Sequence, residues 1–420
     1  METIERKEYL DFLVRSRDRQ IIKVVSGVRR CGKSTLFDIY CNYLIKSGVE
    51  EKQIIRINFE DVDYEHLTTY RTLYDYIKPL LIPDKMNYIF LDEIQHVEQY
   101  EKAVDSLFIK KNVDLYITGS NAYFMSGELA TLLSGRYVEL QMLPLSFAEF
   151  CRGIEKYSNK GNLKSLSEKY STYLQSSSFP YTLQLGGNMK DITEYLRGIY
   201  NSVLLKDVVA RQRIPDVMML ESVTKFLFHN IGNQLSTTKI ANTMTSEGRK
   251  IDQKTVEKYV KGLTESLMLY QAKRYNIKGK QYLATQEKYY VVDIGLRYML
   301  LGSRSTDIGH ILENVVYLEL IRRGYDVYVG QVGDAEVDFV AMNEEGLKYY
   351  QVAASVRERK TLERELGSLQ KISDHYPKYI LTLDEDPDAD YDGIKRTNVL
   401  DWLLGKAFIS DNSLPVIAPS

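Results

Sequence analysis

Gly27-Val28-Arg29-Arg30-Cys31-Gly32-Lys33-Ser34-Thr35 fits the pattern G-x-x-x-x-G-K-[ST] of a phosphate-binding loop. The apolar run Ile21-Ile22-Lys23-Val24-Val25-Ser26 ahead of it reads as a buried strand, and residues 36–46 after it read as a helix that stops at Gly48. In that order the backbone N–H groups of the loop point at a polyphosphate, and the helix N-terminus adds the positive end of its dipole. Gly27 and Gly32 permit the tight path and the close approach of phosphate. Lys33 is expected to reach the β- and γ-phosphates of ATP, and the Ser34 hydroxyl to ligate Mg²⁺. Thr35 caps the helix or packs near the nucleotide. Arg29 and Arg30 project from the loop tip, toward phosphates or a neighbouring surface.

The next strong signal is Tyr88-Ile89-Phe90-Leu91-Asp92-Glu93, an apolar strand ending in two carboxylates. Such a strand downstream of a phosphate loop is a Walker B pattern. Asp92 then belongs to the Mg²⁺ shell, and Glu93 is placed to take a proton from the attacking water. A further strand, 113–118, runs into Gly119-Ser120-Asn121. A polar residue there would lie between the two motif-bearing strands and face the γ-phosphate, with Asn121 the first candidate and Ser120 the second. Arg136, in Ser134-Gly135-Arg136, is the candidate arginine for transition-state charge, supplied within the chain or by a neighbour. A surface arginine is the alternative reading. Strands at 21–26, 53–59, 88–93, 113–118 and 137–143 alternate with helices, which predicts a mainly parallel α/β sheet with nucleotide at its carboxyl edge.

At 420 residues the chain is too long for one ordinary core, and two or three domains are expected. No apolar run approaches the roughly 20 residues of a membrane span. The charged stretch 1–11 carries no signal-peptide core, so a cytoplasmic location is expected. Cys31, Cys41 and Cys151 lack metal-ligand spacing and read as free thiols. Because Cys31 lies inside the phosphate loop, its alkylation is expected to block nucleotide binding.

Residues 151–178 are polar and read as a partly helical linker. A helical pattern from 192 to 213, ending before Pro215, suggests a lid. Helices at 221–230, 237–244 and 255–267 precede an apolar hairpin, 269–275 and 288–293, around the basic turn 276–280. Three helices and a two-stranded wing make a winged helix. Residues 221–290 hold twelve Lys or Arg against six Asp or Glu, a net of +6 in a chain whose net charge is −2. Lys254, Lys258 and Lys261 share one helix face, and Lys278 and Lys280 lie in the wing, which suits contact with a phosphate backbone. A structural or protein-contacting module is the alternative.

From residue 307 the expected order is helix, three strands, helix, strand, which resembles the PD-(D/E)XK nuclease fold. That resemblance implies a Mg²⁺ site, with Glu313 and Asp338 in the matching places and Glu336 close by. The third element reads Gln351-Val352-Ala353. Ala353 stands where the pattern has its lysine, so loss of cleavage is expected.

The loop GVRRCGKST, FLDEIQ, ITGSN, SGR and PLSFAEF together resemble the AAA_14 family of bacterial and archaeal ATPases. SVLLKDVVARQRI, LENVVYLELIRRGYDVYVG and EVDF look like its partner domain DUF4143. The resemblance implies an AAA+-like P-loop ATPase domain (1–150), a helical linker or lid (151–215), a winged helix (216–305) and a nuclease-like α/β domain (306–420). It carries Lys33, Ser34, Asp92 and Glu93 into their roles, with Asn121 and Arg136 following the same order, and it implies ring-like homo-oligomers. The expected function is Mg²⁺-dependent ATP hydrolysis moving the C-terminal modules on double-stranded DNA. The alternatives are an ATP-binding switch or scaffold for protein partners and an ATP-gated nuclease.

Overall fold

The computed structural model describes residues 4–120, 133, 135–157, 165–302 and 307–406. They form two compact units, one up to Pro144 joined by Glu265–Leu267, the other from Leu145 to Thr264 and from Met268 onward.

The first unit is a five-stranded parallel sheet, β1 (Ile22–Ser26), β2 (Ile54–Asn58), β3 (Asn87–Asp92), β4 (Val113–Gly119) and β5 (Tyr137–Gln141), in the order β2-β3-β4-β1-β5. Helices α1 (Lys7–Arg15), α2 (Lys33–Lys46), α3 (Tyr70–Ile77) and α4 (Tyr100–Phe108) accompany it. Strands β1, β3 and β4 are buried along their whole length, as parallel strands covered on both faces must be. This is the α/β sheet that the sequence predicts. Helix α3 starts after the capping Thr69 and ends at Ile77, where Pro79 falls in the tight turn Lys78–Leu80.

Register decides what meets at the sheet edge. Ser26 pairs with Gly119, Leu91 with Ile117, and Asn58 with Asp92. The carboxyl ends of β1, β3 and β4 therefore lie side by side, with β4 between the other two. Arg6 fastens the loop after β1 from beneath: its buried guanidinium donates to Cys31 O at 3.1 Å and to Leu143 O at 2.8 Å.

The amino end of this sheet holds a buried charge pair. Lys23 donates to Asp114 and, at 2.8 Å, to Arg19 O. Tyr116 OH and Asp18 N complete the shell of Asp114 at 2.8 and 2.9 Å, and Tyr40 OH meets Tyr116 OH at 2.9 Å. Burial lowers the pKa of Lys23 and raises that of Asp114, so it opposes the charged form of both.

In the second unit, α5 (Phe147–Tyr157) and α6 (Leu166–Ser176) occupy the stretch read as a linker. Helix α7 (Met189–Ser202) continues into a π-helical turn, Val203–Ala210. Helices α8 (Val217–His229), α9 (Thr237–Ser246) and α10 (Gln253–Glu265) follow, with Ser236 accepting from Lys239 N and Asp252 from Thr255 N at their starts. The hairpin is β6 (Leu269–Asn276) and β7 (Gln281–Val291), so its second strand begins seven residues before the expected one and the turn contracts to 277–280.

Helices α11 (Ile294–Leu301) and α12 (Ile308–Arg322) lead to β8 (Asp326–Val332), β9 (Ala335–Asn343), β10 (Gly346–Ala353), α13 (Arg359–Gln370) and β11 (Lys378–Thr382). The expected order of helix, three strands, helix and strand is present. Beyond it lie β12 (Ala389–Tyr391), β13 (Ile394–Asn398) and α14 (Val399–Leu403), which periodicity did not reveal. The sheet is mixed, in the order β12-β13-β11-β10-β9-β8-β6-β7. Arg274 pairs with Val329 and Tyr275 with Gly330, so the hairpin read as a wing and the C-terminal strands share one sheet across the expected boundary at 305/306. Among the described residues no helix is long and apolar enough to cross a membrane.

Breaking a buried ion pair from one side leaves an unpaired charge and costs about 3–5 kcal/mol, whereas replacing both partners with apolar groups is often neutral. Lys23→Met is therefore expected to lower stability in urea melts on the order of 3 kcal/mol. Lys23→Met combined with Asp114→Leu should recover most of that loss.

Candidate functional site

The loop from Gly27 to Gly32 turns tightly at the end of β1. Gly32 has φ 105° and Arg30 φ 67°, and a Cβ on Gly27 would lie 2.4 Å from Met142 O. Only glycine fits at 27, and glycine suits the left-handed backbone at 32. Helix α2 starts at Lys33, so its free N–H groups face the loop. Ser34, Thr35 and Arg30 are exposed there. Arg29 turns away to Glu60, with Nη1 2.8 Å from Oε1.

Lys33 is only 4% exposed. Its ammonium donates to Gly27 O and to Ser120 Oγ, each at 2.9 Å, and stands 3.1 Å from Glu93 Oε1. Burial acts to lower its pKa, but the charge of Glu93 overrides this and the pKa is raised. Glu93 follows β3 in the left-handed region, φ 55°, a conformation that costs energy for a residue with a side chain and recurs at functional sites. Its N–H donates to Thr118 Oγ1 at 2.8 Å, and its carboxylate accepts from Ser120 Oγ and from Gln95 Nε2, each at 2.5 Å. Burial alone would push Glu93 up. The charge of Lys33, with the bonds from Ser120 and Gln95, outweighs burial and holds it at about 2.

Asp92 ends β3 and accepts from the Ser34 and Thr118 hydroxyls, while burial pushes its carboxyl above the usual range. Ser34 and Asp92 are thus brought together, as a Mg²⁺ shell requires. Mg²⁺ usually takes one or two protein ligands and fills the rest of its octahedron with phosphate oxygens and water. A hydroxyl beside one carboxylate fits that habit. Among the described residues no group of three or more His, Cys, Asp or Glu could hold a metal ion.

Of the polar residues after β4, Ser120 reaches the site, and Asn121 lies outside the described residues. Arg136 is a correction to the reading within one chain. It precedes β5, whose first residue, Tyr137, pairs with Ile22 at the amino end of β1. It binds Asp105 at that end of the sheet, opposite the phosphate loop. Cys31 is a second correction. It is fully buried, and burial pushes its thiol up, so the thiolate is disfavoured and reagents are kept out.

A second charged cluster lies in the other unit. The ammonium of Lys288, on β7, is 2.8 Å from Glu313 Oε1 (α12), 2.7 Å from Glu336 Oε1 and 3.9 Å from Asp338 Oδ1 (both β9). Tyr290 OH donates to Glu313 at 2.6 Å. Gln351 accepts from Asp338 N at 2.6 Å and donates to Glu365 at 2.7 Å. Glu313 and Asp338 do converge, as the sequence order suggests. The cation among them comes from the hairpin, however, and Ala353 contributes none. Sequence reading missed Lys288 because its neighbours are distant in the chain, and it missed Gln95, although Gln95 sits in the quoted FLDEIQ stretch.

Residues 19–151 match a family model described as an AAA domain, AAA_14. Residues 167–307 match one described as a domain of unknown function, DUF8612, which is a different family from the DUF4143 implied by the sequence resemblance. An uncharacterized protein of Haemophilus influenzae is 39% identical over 403 residues, covering 96% of this chain and 98% of its own. An uncharacterized protein of Methanocaldococcus jannaschii is 30% identical over 361 residues, 83% of this chain and 78% of its own. Among solved structures, the Walker-type ATPase of Pyrococcus abyssi is similar in fold, with a TM-score of 0.51 and 16% identity over 71% of this chain and 96% of that one.

The native chain should resist iodoacetamide at Cys31 and take it up only after unfolding, as peptide mass mapping would show. Lys288→Met strands a buried carboxylate cluster and is expected to cost about 3–5 kcal/mol in urea melts.

Proposed function

The chain belongs to the same family as the Haemophilus influenzae protein, and from its AAA-domain match over residues 19–151 we propose that it is a Mg²⁺-dependent ATPase that uses Lys33, Ser34, Asp92 and Glu93. The observation that carries this reading is the buried Lys33 ammonium, held at the carboxyl edge of the sheet within 3.1 Å of Glu93. A phosphate-binding lysine and a proton acceptor stand together where the loop N–H groups and the start of α2 favour anions.

Lys33 exchanges Gly27 O, Ser120 and Glu93 for the β- and γ-phosphate oxygens of ATP. Gly27 and Gly32 let those phosphates approach the backbone. Arg30 and Thr35, exposed at the mouth of the loop, flank them, and Arg29 stays with Glu60. Released from Lys33, the Glu93 carboxylate accepts a proton from water. The water oxygen bonds the γ-phosphorus, and the bond to the bridging oxygen breaks with its electron pair going to ADP. Ser120 holds Glu93 in place between β3 and β4. Ser34, with Asp92 beside it, would hold Mg²⁺, which when bound would supply charge neutralisation on the phosphates.

DNA is the proposed substrate of the motion. Lys254, Lys258 and Lys261 are exposed on one face of α10, and Lys278 and Lys280 are exposed at the hairpin turn. They suit a phosphate backbone at the helix-and-hairpin module. The clustered carboxylates around Lys288 hold an internal ammonium, and we assign them no cleavage. Arg136 can serve a nucleotide only in a neighbouring copy of the chain.

Lys33→Ala should lose Mg·ATP binding. Glu93→Gln should bind Mg·ATP and turn it over at least a hundredfold more slowly, on the order of the 10²–10⁴ that a general base contributes. Wild-type rates in Glu93→Gln would reject the role of Glu93. Duplex binding that weakens from low to high salt, with a shallower salt dependence when Lys254, Lys258 and Lys261 become Gln, would support DNA contact. Binding insensitive to salt would reject it.

A further inference from the structure

Gln95 stands in the short turn Ile94–His96 that follows Glu93. Its amide nitrogen donates to Glu93 Oε2 at 2.5 Å. The other carboxylate oxygen of Glu93 is occupied by Ser120 Oγ and by the Lys33 ammonium. With Lys33 that close, Glu93 is ionised and can only accept, so the amide must turn its N–H toward the carboxylate. That orientation fixes where its carbonyl oxygen goes. Gln95 Oε1 is buried, and no described protein group donates to it.

A buried carbonyl oxygen without a donor costs about 1–3 kcal/mol. The cost is removed when a donor arrives. The group that reaction brings beside Glu93 is a water molecule with two O–H bonds, of which Glu93 can take only one proton. We propose that Gln95 is a positioning residue for ATP hydrolysis: its N–H orients the Glu93 carboxylate, and its carbonyl oxygen accepts from the second O–H of the attacking water.

This rests on the hydrolytic reading above. In the step, one water O–H breaks and its proton goes to Glu93. The water oxygen bonds the γ-phosphorus as the bond to ADP breaks. The second O–H stays intact and points at Gln95, which fixes the direction of the oxygen lone pair. Two acceptors held by one turn set the water's orientation, where one acceptor would leave it free to rotate about a single hydrogen bond. Lys33 cannot take this part, because an ammonium has no acceptor, and the hydroxyl hydrogen of Ser120 is already given to Glu93.

The test compares wild type with Gln95→Met, which keeps the length of the side chain and removes its donor and acceptor, and with Gln95→His, whose neutral ring has one donor and one acceptor. Affinity for a non-hydrolysable Mg·ATP analogue and kcat and KM for Mg·ATP are measured for each. The expected result is analogue binding within about threefold of wild type and a fall in kcat on the order of tenfold to a hundredfold in Gln95→Met. Gln95→His should regain part of that loss. Wild-type kcat in Gln95→Met would overturn the role of Gln95 while leaving hydrolysis standing. A loss confined to analogue binding or KM would overturn it too, since it would mark a purely structural side chain. If Gln95→Met fails to fold, Gln95→His decides, and kcat below a hundredth of wild type in that folded variant would count against the proposal. No turnover in wild type, with the analogue bound, would instead overturn the hydrolytic reading on which this one rests.

Discussion

The Lys33 ammonium is the point on which the first unit closes. It is buried, and Gly27 O, Ser120 Oγ and Glu93 Oε1 surround it. Those partners come from the loop after β1 and from the ends of β4 and β3. One cation therefore ties together three strand ends, one at Gly27 and the others 60 and 87 residues beyond Lys33, at Glu93 and Ser120. An ammonium in this place without acceptors would be costly, and so would the carboxylate without the ammonium. The parallel register is what lets them meet: with β4 set between β1 and β3, Ser120 falls between lysine and glutamate. The same register sends Arg136 to the far end of the sheet.

The chain uses buried lysines in more than one role. Lys23 and Asp114 close the amino end of the first sheet, within a shell of tyrosine hydroxyls and backbone groups that leaves neither charge exposed. Lys288, on β7, sits among Glu313, Glu336 and Asp338 and gathers one helix and one strand around itself. Both of those networks are satisfied from within the protein, and satisfied polar networks rigidify a core. Lys33 differs because it stands beside a glycine loop and the start of a helix, where a competing anion can be received. Its bonds can be exchanged, whereas those of Lys23 and Lys288 are fixed by the strands that carry them.

What was legible in the sequence follows from how local each signal is. The phosphate loop and the Asp92-Glu93 pair are contiguous patterns, and the structure places them together as read. The helices expected at 237–244 and 255–267 were also legible, and Ser236 and Asp252 cap them in the structure. The parallel sheet followed from alternation of strands and helices. Whether a residue after β4 faces the site depends on the direction of its side chain, which sequence does not encode; Ser120 proves to reach Glu93, and Asn121 lies outside the described residues. Arg136 looked close because it precedes a strand of the same sheet; which end of that strand it occupied could be settled only by pairing Tyr137 with Ile22. Lys288 was counted among the basic residues of a wing, but β6 joins β8, and the neighbouring β7 turns that lysine inward. Non-local pairing of this kind leaves no periodicity to read.

The central claim is that nucleotide and Glu93 compete for the same lysine. The direct measurement is the affinity of wild type and Glu93→Gln for a non-hydrolysable Mg·ATP analogue, by calorimetry at one salt concentration. With the carboxylate neutralised, Lys33 has one partner fewer to give up, and Glu93→Gln is predicted to bind the analogue more tightly than wild type. Equal or weaker binding by Glu93→Gln would contradict the claim.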